Sequence, residues 1–202
     1  MKVLNLYAGI GGNRKLWQDV DVTAVEIVPE IAEIYQDFYP KDKVIVGDAH
    51  EYLRQHFREF DFIWSSPPCQ THSVLQMTKY HEGDIVYPNM MLYQEIILLQ
   101  TFFQGKWVVE NVKPYYKPLI TPTFSMERHF YWSSDFILDV QHSDINFYAI
   151  KNDIPAMEKE YGFDLSKYKK KLGSKLTMTV LRNCVKPKDG LYIFNKINKR
   201  EE

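Results

Sequence analysis

Ser66-Pro67-Pro68-Cys69-Gln70 follows directly on the apolar run at residues 60–64. A thiol at the point where a buried strand gives way to a loop is placed to act as a nucleophile, and two prolines stiffen the turn before it. A free cysteine is also commonly a small buried hydrophobe, so Cys69 is read together with its company. The segment Leu4-Asn5-Leu6-Tyr7-Ala8-Gly9-Ile10-Gly11-Gly12-Asn13-Arg14 carries an apolar strand into Gly-x-Gly-Gly. Glycines there permit a sharp turn and a close approach of ligand to backbone. The third glycine follows the second at once, so the six-residue dinucleotide pattern is absent and a pyrophosphate cradle is disfavoured. Glu26 lies 14 residues after Gly12 in the apolar run 22–27. A carboxylate at that place can accept from both hydroxyls of a ribose, or can simply be solvated. Asp48, after the run 43–47, is placed to cap a helix or to accept from an adenine amino group. Trp107-Val108-Val109 runs into Glu110-Asn111-Val112. Each of these polar groups falls at the carboxyl end of a strand, where open parallel sheets keep their sites.

Strands are expected at residues 3–8, 22–27, 43–47, 60–64 and 107–109, with 130–132 returning to the sheet. Helices are expected at 13–19, 29–38, 49–57 and 90–103, the second opening on Pro29 at its favoured first position. This alternation predicts a doubly wound, mostly parallel sheet with helices on both faces. Pro114 and Pro118 mark an irregular connection.

The ordered motifs Tyr7-Ala8-Gly9-Ile10-Gly11-Gly12, Glu26, Gly47-Asp48, Pro67-Pro68-Cys69-Gln70, Glu110-Asn111-Val112 and Glu127-Arg128 resemble those of the cytosine-5 DNA methyltransferases. Asn183-Cys184-Val185-x-Pro187 is similar to the last motif of that family. The likeness spans nearly the whole chain and is most specific in the Pro-Cys-Gln and Glu-Asn-Val pair. Three departures stand out. The family usually carries two arginines spaced two apart where this chain reads Met126-Glu127-Arg128, and only the second is present. Arg182 replaces the glycine before the final asparagine, and the Pro-Arg-Glu motif that organises target recognition is missing.

The resemblance implies an α/β, Rossmann-like, doubly wound, mostly parallel sheet of the S-adenosylmethionine-dependent methyltransferase type, with a small C-terminal recognition insert. It implies a compact phage-like or bacterial DNA (cytosine-5-)-methyltransferase. Cys69 would supply a thiolate that adds to carbon 6 of cytosine and makes carbon 5 nucleophilic. Glu110 would hold ring nitrogen 3 and the exocyclic amine, Arg128 the base carbonyl oxygen, and Asn111 the backbone around Cys69. S-adenosylmethionine would lie with its methionine end along Tyr7, Ala8, Gly9, Ile10, Gly11 and Gly12. Its ribose would rest on Glu26 and its adenine between Ile27 and the Asp48-Ala49 turn, with Pro68 and Asn183 completing the pocket. Double-stranded DNA is the implied partner, its target cytosine flipped out at a cost of roughly a few kcal/mol. Between Gln70 and Met90 the family has a mobile loop that closes over nucleic acid. Gln70, Ser73, Lys79 and His81 are candidate contacts there and Gly83 a candidate hinge; a plain solvated loop is the competing reading.

Apolar residues make up 45% of the 202, which suits a globular fold. No apolar run approaches the ~18 residues of a membrane span. A basic, then apolar, amino-terminal segment is absent, and two cysteines suit a reducing compartment, so a cytoplasmic enzyme of a bacterial or phage-infected cell is expected. Cys69 and Cys184 are 115 residues apart and the six histidines do not pair at ligand spacing, so no metal is expected. The net charge of −1 divides into −7 over residues 1–150 and +6 over residues 151–202. Lys167, Lys169, Lys170, Lys171 and Lys175 form a candidate phosphate-backbone footprint, against the alternative of a solvated face. The expected organisation is a catalytic domain at 1–133, a recognition insert at 134–179 and a segment at 180–202 packing back as a strand or helix. So small an insert leaves open a short DNA preference, an RNA substrate, or a partner chain that supplies recognition.

Overall fold

Short runs of β-branched and aromatic residues form seven strands: Lys2–Leu6 (β1), Asp21–Glu26 (β2), Lys43–Val46 (β3), Phe62–Ser65 (β4), Lys106–Val112 (β5), Phe124–Met126 (β6) and His129–Ser133 (β7). The structure is a computed structural model that describes residues 1–81, 83, 85–135 and 150–198. The strands make one sheet in the order β3-β2-β1-β4-β5-β7-β6. The first five run parallel, while β7 lies antiparallel between β5 and β6. Strand order reverses between β1 and β4, and their carboxyl ends therefore flank the crevice in which such sheets bind ligands. The expected α/β doubly wound class is what the chain adopts.

Alternation along the central strands sends side chains to opposite faces. Leu4, Leu6, Ile63 and Val109 pack under the helices Ala49–His56 (α2) and Met91–Phe102 (α4), against Leu53, Ile96 and Leu99. Val3, Phe62, Trp64 and Val108 face the other way, onto Ile193, Phe194 and Ile197 of the C-terminal helix. Trp17 stacks on Phe194 with ring centroids 4.7 Å apart and donates its indole N–H to the Gly190 carbonyl at 3.2 Å. Burying each large side chain contributes about 1.5–3 kcal/mol, so both faces of the sheet are committed to core.

The helix Pro29–Phe38 (α1) covers β2 and β3, and Gln76–His81 (α3) follows the Cys69 turn. Beyond residue 149 come Ile154–Tyr161 (α5), Lys169–Arg182 (α6) and Pro187–Asn198 (α7). Met157, Tyr161, Phe163, Leu165 and Leu181 from this region share a core with Ile31 and Ile34 of α1. The expected insert is thus docked on the flank of the sheet, although its residues 136–149 lie outside the described ones. The expected boundary at 179/180 falls within α6, and the last segment forms the helix α7 rather than a strand.

Residues 13–19 do not form the expected helix. They make successive tight turns, with Lys15 N–H on the Gly12 carbonyl and Trp17 N–H on the Arg14 carbonyl. Distant partners impose this path. Asn13 exchanges a 2.7 Å amide hydrogen bond with Asn5, Arg14 grips Asp42 at 2.9 Å, and a Cβ on Gly190 would sit 2.5 Å from the Asn13 carbonyl oxygen. Among the described residues, no helix is long and apolar enough to cross a membrane.

Candidate active site

Register puts the polar residues in one row. Leu6 pairs with Val25 and Ser65, Ser65 with Val109, Glu26 with Val46, and Glu110 with Tyr131. One step beyond, Tyr7, Glu26, Ser66 and Glu110 lie level across the carboxyl edge of β1, β2, β4 and β5. The expected strand ends differ from these by one to three residues.

On one side of the row is the glycine turn. Tyr7 ends β1 with φ 54°, and Gly11 at φ 77° accepts a 2.7 Å hydrogen bond from the Tyr39 hydroxyl on its carbonyl. A Cβ at Gly11 would lie 2.4 Å from the Tyr39 ring, and one at Gly12 would lie 2.2 Å from Cys184 Sγ. The turn is therefore packed from behind by α1 and by the segment between α6 and α7. A Cβ at Gly9 would instead meet open space. Glu26 is nearly fully buried and takes one backbone N–H on each oxygen, from Gly9 and from Val28, both at 2.9 Å. One lone pair on each oxygen is left for a diol. Ile27 beside it is 62% exposed. Asp48 caps α2 through a 2.8 Å bond from Glu51 N–H, and Ala49 is buried under it. The open face at Gly9, the poised carboxylate and the exposed apolar Ile27 fit a nucleoside-bearing cofactor such as S-adenosylmethionine. Asn183 sits exposed at the end of α6 with its N–H on the Thr179 carbonyl, and its neighbour Cys184 makes the contact with Gly12.

On the other side is the Pro67-Pro68-Cys69 turn. Asn111, buried at the end of β5, donates Nδ2–H to the Pro67 carbonyl at 2.8 Å. The bond ties the start of the cysteine turn to β5. Cys69 is half-buried with its carbonyl accepting from His72 and Ser73 N–H, while Pro68 and Gln70 are exposed. Burial pushes the Cys69 thiol above its ordinary pKa, the Glu110 charge pushes the same way, and Arg128 opposes both. Burial also raises the Glu110 carboxyl, against a hydrogen bond from Ser66 and the Arg128 charge. The Ser66 hydroxyl in turn accepts from the Trp64 indole at 3.0 Å. Arg128, on the β6–β7 turn, donates to the Arg182 carbonyl at 2.8 Å and feels both Cys69 and Glu110. Cys69, Glu110 and Arg128 are thus brought together electrostatically from residues 59 apart in sequence.

Two contributors escaped the sequence reading. Glu95 of α4, fully buried, accepts from the Tyr7 and Ser65 hydroxyls at 2.6 Å each and lies 3.1 Å from His50 Nδ1. It ties the glycine turn to the strand that leads into the cysteine turn. A carboxylate within the apolar stripe Leu92, Ile96 and Leu99 was the signal for it. His129 is the second, with Nε2 3.3 Å from Glu110 Oε1.

Of the candidate nucleic-acid contacts, Ser73 is half-buried, with its hydroxyl accepting from Leu75 N–H at 3.3 Å, and Lys79 is exposed on α3. Gly83 has φ 95°, whereas Asp84 lies outside the described residues. The lysine cluster divides. Lys167 pairs with Asp37 at 3.1 Å, Lys169 with Glu158 at 3.2 Å, and Lys171 with Glu33, while Lys170 is exposed. Lys167 and Lys171 therefore hold the flanking helices onto α1.

A model of the family described as C-5 cytosine-specific DNA methylase matches residues 1–124. A tRNA (cytosine(38)-C(5))-methyltransferase of Spodoptera frugiperda is 29% identical over 119 residues, covering 55% of this chain and 35% of that protein. The chain thus spans about a third of the length of that curated relative. Among solved structures, a variant of Spodoptera frugiperda DNMT2 matches at 29% identity and TM-score 0.41, over 55% of this chain and 35% of the other. The Entamoeba histolytica methyltransferase EhMeth matches at 14% identity and TM-score 0.44, over 72% and 57% respectively.

Proposed function

This chain belongs to the C-5 cytosine-specific DNA methylase family, and on that premise we propose that it methylates carbon 5 of a cytosine flipped out of duplex DNA. The observation that carries the proposal is that Glu110 and Arg128 both act on the Cys69 thiol at the carboxyl edge of the sheet. S-adenosylmethionine, when bound, supplies an electrophilic methyl group. Residues 7–12 would hold its methionine end, Glu26 its ribose, and Ile27, Asp48 and Ala49 its adenine, with Pro68 and Asn183 at the rim.

Cys69 rests as a thiol, because burial disfavours the thiolate. It loses its proton to solvent water and forms a bond from Sγ to carbon 6 of the pyrimidine, driving the 5,6 electron pair onto carbon 5. Glu110, whose burial favours the protonated carboxyl, donates to ring nitrogen 3 and accepts from the exocyclic amine. Arg128 holds the carbonyl oxygen as charge develops. Once carbon 5 is methylated, solvent water takes its proton, the C–H electron pair reforms the 5,6 double bond, and the carbon 6–sulfur pair leaves with Cys69. Gln70, Ser73 and Lys79 would meet the nucleic-acid backbone beside the cysteine turn, and Lys169, Lys170 and Lys171, all exposed, would meet it farther out.

A second reading, cytosine methylation of tRNA, is favoured by the 29% identity to the tRNA enzyme. One experiment separates the readings. The protein is incubated with S-adenosylmethionine and oligonucleotides carrying 5-fluorocytosine, as duplex DNA, single strands or tRNA. Fluorine blocks the elimination step, so a covalent complex is expected on duplex DNA and is lost in Cys69→Ser. A complex on tRNA alone selects the second reading. Complexes that survive Cys69→Ser would refute the cysteine mechanism, and complexes formed only with a cell extract added would assign recognition to a partner chain.

A further inference from the structure

We propose that His129 is a positioning residue for Glu110, donating its Nε2–H to Oε1 so that the carboxyl is held from the β7 side as Ser66 holds it from the loop side. For the pyrimidine chemistry this deepens the function proposed above and rests on it; the contact itself does not.

The register explains how the two residues meet. Glu110 pairs with Tyr131 and Val112 with His129 across antiparallel β5 and β7. Residues two apart on a strand share a face, so Glu110 and His129 are diagonal neighbours, close enough for a ring to reach a carboxylate. His129 Nε2 lies 3.3 Å from Glu110 Oε1, with side chains 15% and 9% exposed. The ring is further held edge-on to Tyr131, with centroids 6.4 Å apart. The carboxyl thus has a hydroxyl on one flank and an imidazole on the other.

The charges around the ring decide its form. Arg128 faces it from the β6–β7 turn, Lys186 from the segment before α7, and Lys113 from the end of β5, and all three oppose protonation, as does burial. Glu110 is the acid in contact with the ring, and Glu127, which could otherwise attract a proton there, is bound to Lys186 at 2.6 Å. The imidazole is therefore neutral at neutral pH. Whether Glu110 is ionised or carries its proton on the other oxygen, Oε1 is an acceptor, so a neutral imidazole in contact with it donates with its hydrogen on Nε2. The ring hydrogen stays on Nε2, and the proton that moves toward the substrate is the one the Glu110 carboxyl carries on its other oxygen. A histidinium there would lower the Glu110 pKa far enough to remove its ability to donate; the neutral ring orients the carboxyl with only the smaller lowering of one hydrogen bond.

The primary test needs no substrate. Long-range proton–nitrogen NMR of the histidines reads the His129 tautomer in the free protein, and carbon NMR of labelled glutamate follows Glu110. We expect the Nε2–H tautomer from pH 5.5 to 9, with no charging of His129 across that window. In His129→Phe the Glu110 titration should move up by about one pH unit, the size of a lost hydrogen bond to a charged acceptor. His129→Gln, which keeps an N–H near the Nε2 position, should recover most of that shift. A His129 that charges near pH 6.5, or a Glu110 titration indifferent to His129→Phe, would overturn the proposal even if a variant folded poorly, because the first measurement uses the unaltered chain. In the 5-fluorocytosine assay, adduct formation should slow about tenfold in His129→Phe and recover in His129→Gln, with the pH limb set by Glu110 moving alongside. Loss of adduct in Cys69→Ser together with an unaltered limb in His129→Phe would sink this inference and leave the cysteine mechanism standing. Adducts that ignore Cys69 would do the reverse.

Discussion

Truncating Glu95 tests whether one buried carboxylate holds the two halves of the crevice together. Its Oε1 accepts from Tyr7 at 2.6 Å and lies 3.1 Å from His50 Nδ1, while Oε2 accepts from Ser65 at 2.6 Å. Glu95→Ala strands two hydroxyls in a dry core, each costing about 1–3 kcal/mol when left without an acceptor. It also leaves a gap under α4, whereas His50 is half-buried and can turn toward water. Together these come to about 4 kcal/mol, a large share of the ~5–15 kcal/mol of a whole domain. At ~2–4 °C per kcal/mol for a chain of this size, the melting temperature should fall by about 8–16 °C. Glu95→Gln keeps the shape. Its carbonyl can serve Tyr7 and its amide can donate to a reoriented Ser65 hydroxyl, so the loss should be about 1–2 kcal/mol. The pH dependence has a definite sign. The hydrogen bond to Glu95 raises the His50 pKa above its unfolded value of about 6.5. That contribution is complete below the unfolded pKa and fades as pH rises through the folded one, so the gap between wild type and Glu95→Gln should be wider at pH 6 than at pH 9. Urea denaturation at the two pH values measures all of this. An alanine cost below about 1.5 kcal/mol, a glutamine variant as unstable as alanine, or a gap that widens with pH would refute the reasoning.

Cys69 should react slowly with iodoacetamide at pH 7, its rate still climbing past pH 9, because burial and Glu110 raise its pKa. Glu110→Gln should speed the reaction at pH 8 and Arg128→Gln should slow it, as mass spectrometry would record; a plateau reached by pH 8 would contradict that ordering. Cys184 does not compete, since burial pushes its thiol up to about 12. Gly12→Ala should destabilise the fold by about 3 kcal/mol, because its Cβ meets Cys184 Sγ at 2.2 Å and the Val185 carbonyl oxygen at 2.3 Å. Adding Cys184→Ala should restore only part of that, the carbonyl being backbone; full recovery in thermal melts would count against the contact geometry.

The sheet was legible because its central strands are continuous apolar runs bounded by glycine, proline or acid, and because each motif residue closes a run. The cysteine beyond β4, the acid in the second half of β5 and the carboxylate that ends β2 could all be found that way. What sequence did not disclose depends on partners far along the chain. Residues 13–17 carry helix-like spacing, yet Asn5, Asp42 and Gly190 draw them into turns. The strand Phe124–Met126 is three residues long and exists by pairing with β7, so no periodicity could announce it. The lysines near residue 170 looked like a free basic face until Asp37, Glu33 and Glu158 were seen opposite them. His129 was open to discovery as a titratable side chain next to Arg128, but only the β5–β7 register points it at Glu110.

The level row at the carboxyl edge makes the parallel sheet behave as a ruler. Removing a single residue between Val3 and Tyr7, or between Phe62 and Ser66, would turn every side chain beyond it to the opposite face and carry Tyr7 or Ser66 out of line with Glu110. Exchanges of one aliphatic for another in these strands are therefore mild, while shortening them is ruinous. Changes of length should be borne better by the connections that leave the opposite edge of the sheet than by the strands themselves.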